Sequence, residues 1–158
     1  MNNLNKHFKQ PMSIETWKAA FYKAEAADTA IDEALEHSIL KWEGLRKANL
    51  DEHELRVRGR IILVDKTSGY FTPAQPLFKI DETTCALCAH HILKKHTCLS
   101  CPLFKALNGN NCDAWPVNDS IQLADSNPYQ AFTSCGDPEP MIRALKKARK
   151  FNKPEGNP

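Results

Sequence analysis

The chain has 158 residues, 42% of them hydrophobic and 25% charged, with a formal net charge of +2. That is enough for one globular domain with a modest core, and too little charge to name a nucleic acid as partner on charge alone. No run of 18 apolar residues occurs, which excludes a bilayer-spanning helix, and the opening MNNLNKHFKQ lacks the apolar stretch of a secretory signal. The six cysteines therefore read as thiols of a reducing cytosol and not as three disulfides.

Residues 1–12 read as a polar lead-in, and Ser13 as a helix cap. Ile14, Trp17, Phe21 and Ala24, then Ile31, Leu35, Ile39, Trp42 and Leu45, recur at helical spacing. They predict helix from about Ser13 to Lys47, either continuous or broken near 26–29 with Asp28 or Thr29 as a second cap. Trp17, Phe21, Leu35 and Trp42 face inward or into a partner, and Gly44 weakens the last turn. The charged DEHELRVRGR reads as a link, RIILVD as a strand, KTSG as a turn and YFT as a returning strand. Pro73 and Pro76 end regular structure. From Asn108 to Pro128 the chain is rich in Asn, Asp, Gly and Pro without a period, a loop that needs something to tie it down. Asp137-Pro138 then opens a last helix, EPMIRALKKARKF.

The tie is sought in CALCAHHILKKHTCLSCP. Cys85 and Cys88 form one C-x-x-C pair, Cys98 and Cys101 a second, with nine residues between them. Each such turn presents two thiolates to one ion, and two turns close a tetrahedron of the kind zinc prefers. Nine residues reach about 30 Å when extended, ample to go out and back. The expected centre is one structural Zn2+ on Cys85, Cys88, Cys98 and Cys101. A thioredoxin-like dithiol needs a βαβ setting, which the flanking sequence lacks. An iron–sulfur cluster takes the same four thiolates and stays open.

Cys112, in GNNCDAWP, stands equally as a ligand or a bystander, and Cys135, in TSCGDP, reads as a bystander. His91 and His96 are alternative ligands. The simpler reading gives His90, His91 and His96 a solvated basic face with Lys94 and Lys95, since four cysteines already complete a tetrahedron. A hydrolytic zinc would need His91 or His96 as ligand and a base such as Asp81 or Glu82. A zinc-scaffolded nuclease would draw a His–Asn–His centre from His90, His91, Asn108, Asn110 and Asn111, but no ordered motif joins them.

TCALCAHH, CLSCPLF, NGNNCDAWP and NPYQAF follow one another in order. This series, with EALEHSILKWEGL before it, resembles a C-x-x-C, C-x-x-C-P, C, P-Y pattern of small uncharacterised proteins of tailed bacteriophages. Its specific part is the cysteines together with Pro102, Pro128 and Tyr129. The resemblance implies an accessory protein of the bacterial host cytoplasm with a cysteine-bound metal, and implies that Cys112 belongs to the pattern. It brings no activity with it, and WPVNDSIQLADS is longer than the pattern calls for.

In the last helix Met141, Ala144, Leu145, Ala148 and Phe151 share one face, while Arg143, Lys146, Lys147 and Lys150 share the other. Docking with a solvated basic face is the plainer reading; contact with phosphates or an acidic partner is the functional one. Arg56, Arg58 and Arg60 alternate, so a strand would turn all three to one side. Tyr70 and Phe71 are placed to stack on a base or, more simply, to pack under the metal loop.

The sequence thus predicts one small α+β domain. Residues 13–50 supply a long helix or helical hairpin, 56–135 a short β-hairpin and a loop-rich zinc knuckle, and 137–151 a basic helix. The expected function is non-enzymatic binding of a macromolecule, either host protein or nucleic acid, with the nuclease and the iron–sulfur protein as alternatives.

Overall fold

The computed structural model describes residues 14–23, 30–59, 61–67, 76–81, 84–93, 98–109, 112 and 127–152. They form α1 (Ile14–Phe21), α2 (Ile31–Gly44), α3 (Lys47–Glu52), β1 (Leu55–Arg58), β2 (Ile62–Asp65), β3 (Phe78–Lys79), α4 (Ala86–Leu93), a 3-10 turn (Cys98–Ser100), α5 (Pro102–Ala106), α6 (Pro128–Cys135) and α7 (Glu139–Asn152). The class is α+β, with helices around a small antiparallel sheet ordered β1-β2-β3.

The apolar stripe predicted over 13–47 exists, but on separate helices. Trp17, Leu35 and Trp42 are buried as expected, while Phe21 is half-buried. The Trp17 indole N–H donates to the Gly44 carbonyl at 2.9 Å, fixing α1 on the end of α2. Gly44 is more than a weak point in its helix. A Cβ there would lie 2.6 Å from Cβ and Cγ of Phe21, so the ring sits where any side chain would. Gly44→Ala is expected to cost about 1–3 kcal/mol by overpacking, read as a lowered denaturation midpoint. Part of that loss should return in a Phe21→Ala background.

The reading of residues 51–60 as a charged link is corrected. Leu55–Arg58 is a strand, paired with β2 in the register Leu55↔Asp65 to Arg58↔Ile62. The predicted partner, YFT, lies outside the described residues; Phe78–Lys79 pairs on the other side of β2. Leu55, Val57, Leu63 and Phe78 face the helices, and the alternation turns Arg56 and Arg58 to the opposite side.

Sequence signals set the later helix ends. Pro102 and Pro128 sit in the first turns of α5 and α6, where the missing N–H costs nothing. The Asn127 side chain caps α6 by accepting from the Gln130 N–H, and Gly136 ends it at φ 75°, in the left-handed region that favours glycine. Asp137 accepts from the Glu139 N–H and opens α7 as predicted.

Helix α2 lies at the centre, packed against α1, α3, α4 and α7. Opposite its Lys41 face, Glu36 and Glu43 meet Arg149 and Lys146 of α7, and Asp32 accepts from Asn152. Arg46, just past α2, pairs with Glu139. Helices α2 and α7 therefore run antiparallel.

Candidate metal centre

Cys85 immediately precedes α4, and its sulfur accepts hydrogen bonds from the Cys88 thiol and from the backbone N–H groups of Leu87 and Cys88. The Cys88 proton, the nearby Lys41 ammonium and these backbone donors together outweigh burial and hold the Cys85 thiol down to about 5. Cys88 moves the other way. It keeps its proton and donates it in a hydrogen bond to the Cys85 sulfur, is buried, and stands within the field of Cys85, Cys112 and Cys101, so it is raised above the ordinary thiol range.

The second pair is built on the 3-10 turn. The Cys101 N–H donates to the Cys98 carbonyl at 3.0 Å, and Pro102 follows as the start of α5. Burial, chiefly, pushes Cys101 up to about 11, against hydrogen bonds from the backbone of Leu103 and Phe104; Cys85 and Cys98 add to the rise. Cys98 is exposed, whereas Cys85, Cys88, Cys101 and Cys112 are partly buried. Cys112 is tied in from α6: its carbonyl accepts from the Tyr129 N–H at 3.2 Å, and the Tyr129 hydroxyl donates to the Ile80 carbonyl at 2.8 Å. Cys135 is exposed and donates to Ala131 within its own helix.

The thiols gather without closing on one point. Among the described residues, no three His, Cys, Asp or Glu side chains surround a single position as metal ligands would.

The histidine reading is corrected. His90 and His91 are buried, at 6% and 8% exposure, and not part of a solvated basic face. They follow Ala86 and Leu87 by one helical turn and so share the face that α4 turns inward. The ring of His91 stands edge-on to that of His90, and its Nδ1 is 3.3 Å from the Ser100 hydroxyl, linking α4 to the 3-10 turn. His96, Lys94, Lys95, Glu82, Asn110 and Asn111 lie outside the described residues, as do Arg60, Tyr70 and Phe71.

One participant escapes the motif altogether. Lys41 of α2 is 1% exposed, and its ammonium donates to the Thr84 carbonyl at 2.9 Å and the Thr84 hydroxyl at 3.3 Å. Burial pulls it below the usual lysine value, while Cys85, Cys88, Asp81 and Cys112 act in the opposite direction. A signal was present: Lys41 stands seven residues after Ala34 and four before Leu45, inside the apolar stripe. Tyr22 completes this side, its ring against His37 and Phe78 and its hydroxyl raised by burial, Cys85 and Asp81.

The basic face of α7 is partly spent within the fold. Lys146 pairs with Glu43 at 2.8 Å, and Arg149 pairs with Glu36 at 3.0 Å. Arg143, Lys147 and Lys150 are exposed, and Arg56 and Arg58 on β1 are half-buried. Phe151, expected on the docked face, is 61% exposed. No protein-family model matches the chain, and no curated protein or solved structure matches it.

Proposed function

We propose that this chain is a non-enzymatic bacteriophage accessory protein in which one cysteine-bound zinc ion anchors the loop-rich half, and that the assembled surface binds a host protein. The observation that carries this reading is the gathering of Cys85, Cys88, Cys101 and Cys112 from three stretches of chain around α4. Such a knuckle substitutes for core where a segment lacks apolar residues of its own. Four thiolates leave zinc no open position, which suits a scaffold and not a hydrolytic centre. The buried histidines of α4 support the same reading, because a dissolved substrate does not reach them.

A protein partner is favoured over nucleic acid because Lys146 and Arg149 already neutralise carboxylates of α2. Lys147 and Lys150, both exposed, would give binding to duplex a log–log salt slope of only about −1.8. The test combines metal analysis of the purified chain, its visible spectrum and gel shifts on duplex, single strand and RNA at two salt concentrations. One zinc per chain, no colour and no shift at micromolar protein in low salt are expected. A coloured protein containing iron and sulfide would replace zinc with a cluster. A shift that weakens with salt, and weakens further when Lys147 and Lys150 become glutamine, would overturn the protein-partner reading.

A further inference from the structure

The first C-x-x-C pair occupies the opening turn of α4, and that placement sets how its two sulfurs stand. The Cys85 carbonyl accepts from the Ala89 N–H at 2.9 Å, so Cys85 is the N-cap residue and Ala86, Leu87 and Cys88 are the first three residues of the helix. An N-cap side chain folds over the first turn towards the free N–H groups of the second and third residues. The Cys85 sulfur does so, accepting from Leu87 and Cys88. Every Cα–Cβ bond of a helix tilts towards its N-terminus, so the Cys88 side chain leans back over the same turn. The chain entering that turn is pinned from two sides. The Thr84 hydroxyl donates to the Lys79 carbonyl at 2.7 Å, and the Lys41 ammonium donates to the Thr84 carbonyl at 2.9 Å. Both thiols are partly exposed, whereas His90 and His91, further along α4, are buried.

We infer that Cys85 and Cys88 form a redox-active dithiol, with Cys85 as the attacking sulfur, which closes to an intramolecular disulfide when it meets a small external disulfide such as oxidised glutathione. The inference goes beyond the metal reading and does not rest on it: a closed disulfide and a bound ion are alternative states of one pair of sulfurs. No βαβ unit is needed, because the start of a helix by itself offers N–H donors and a dipole that favour a thiolate. The Cys85 thiolate attacks one sulfur of the external disulfide, forms a mixed disulfide and expels a thiolate. That thiolate takes the proton of Cys88. The Cys88 sulfur then attacks the Cys85 sulfur and expels the second thiolate, which takes a proton from water. Two electrons pass from the protein pair to the external disulfide, leaving one disulfide in the chain and two small thiols in solution.

The test treats the full chain as purified, with its metal content measured alongside, with one equivalent of oxidised glutathione at neutral pH. Alkylation of the remaining thiols and peptide mapping by mass spectrometry then locate every sulfur. The expected result is a fall from six free thiols to four, with Cys85 joined to Cys88. In Cys88→Ser the second step is blocked, and glutathione is expected to stay on Cys85 as a mixed disulfide. Glutathione on Cys98 or Cys135, the two exposed cysteines, with Cys85 and Cys88 still reduced would overturn the inference. A disulfide joining Cys85 or Cys88 to Cys101 or Cys112 would overturn it as well. If Cys88→Ser gives no soluble protein, the wild-type map decides alone. A chain that keeps one zinc and leaves the pair reduced overturns the dithiol and leaves the metal reading standing. A chain without metal that closes the disulfide does the reverse.

Discussion

Truncation of Trp17 to alanine is expected to lower the free energy of unfolding by about 3–5 kcal/mol. The indole is completely buried, its ring meets Phe21 and Phe78 at centroid distances of 6.0 and 5.2 Å, and its N–H satisfies the Gly44 carbonyl. Alanine would leave a cavity between α1, α2 and the sheet and remove the donor that carbonyl uses. A domain of this size is held by about 5–15 kcal/mol in total, so the variant should be largely unfolded at moderate urea concentration. Trp17→Phe keeps most of the ring contact and loses only the N–H; it should fall well short of the alanine loss. Equilibrium denaturation followed by far-UV circular dichroism measures both. A Trp17→Ala chain within 1 kcal/mol of wild type would mean that α1 is dispensable to the core.

The second large effect concerns the fourth ligand. In the proposed centre, Cys112→Ser is expected to lose zinc and destabilise the chain from Cys85 to Cys112, whereas Cys98→Ser keeps its zinc. The reason is the difference between the two positions. Cys112 is partly buried, packs against the core, and acts on both Cys88 and Lys41. Cys98 is exposed, and its influence falls on Cys101. Serine at Cys85, Cys88 or Cys101 should behave like Cys112→Ser. Zinc bound by small thiolate sites contributes about 10–16 kcal/mol of apparent binding energy, so loss of the ion should be visible as a large drop in melting temperature. Zinc content by elemental analysis, paired with melting, gives the answer. A Cys98→Ser chain without zinc beside a fully loaded Cys112→Ser chain would return the fourth place to Cys98.

What the sequence disclosed tracks how local each signal is. Helix α7 was legible because Met141, Ala144, Leu145 and Ala148 repeat at its period and Asp137 marks its start. Phe151 obeys the same period yet stays exposed, at the end of α7 where the next residue, Asn152, meets Asp32 in the first turn of α2. Strand β1 was hidden because LRVR sits in a charged stretch, and only pairing with β2 decides its conformation. Helix α6 carries a proline start and a glycine stop, but the long aperiodic segment before it masked both. The cysteine spacing announced the centre. Lys41 could not be joined to it from spacing, because the lysine precedes Cys85 by 44 residues and meets it only through the α2–α4 packing.

The antiparallel seam between α2 and α7 also bears on how the chain is born. Its polar clasps join residues 93, 103, 113 and 120 positions apart. At a synthesis rate of about 5–20 residues per second, the Glu36–Glu43 side of α2 waits roughly 5–20 s after leaving the ribosome for the helix that covers it. The cysteine segment emerges earlier, so the Lys41 side of α2 can be covered by α4 while the opposite side is still bare. One helix is thus enclosed in two instalments, and the interval between them is when a nascent chain with an uncovered apolar stripe is most open to capture by a chaperone or by a second copy of itself.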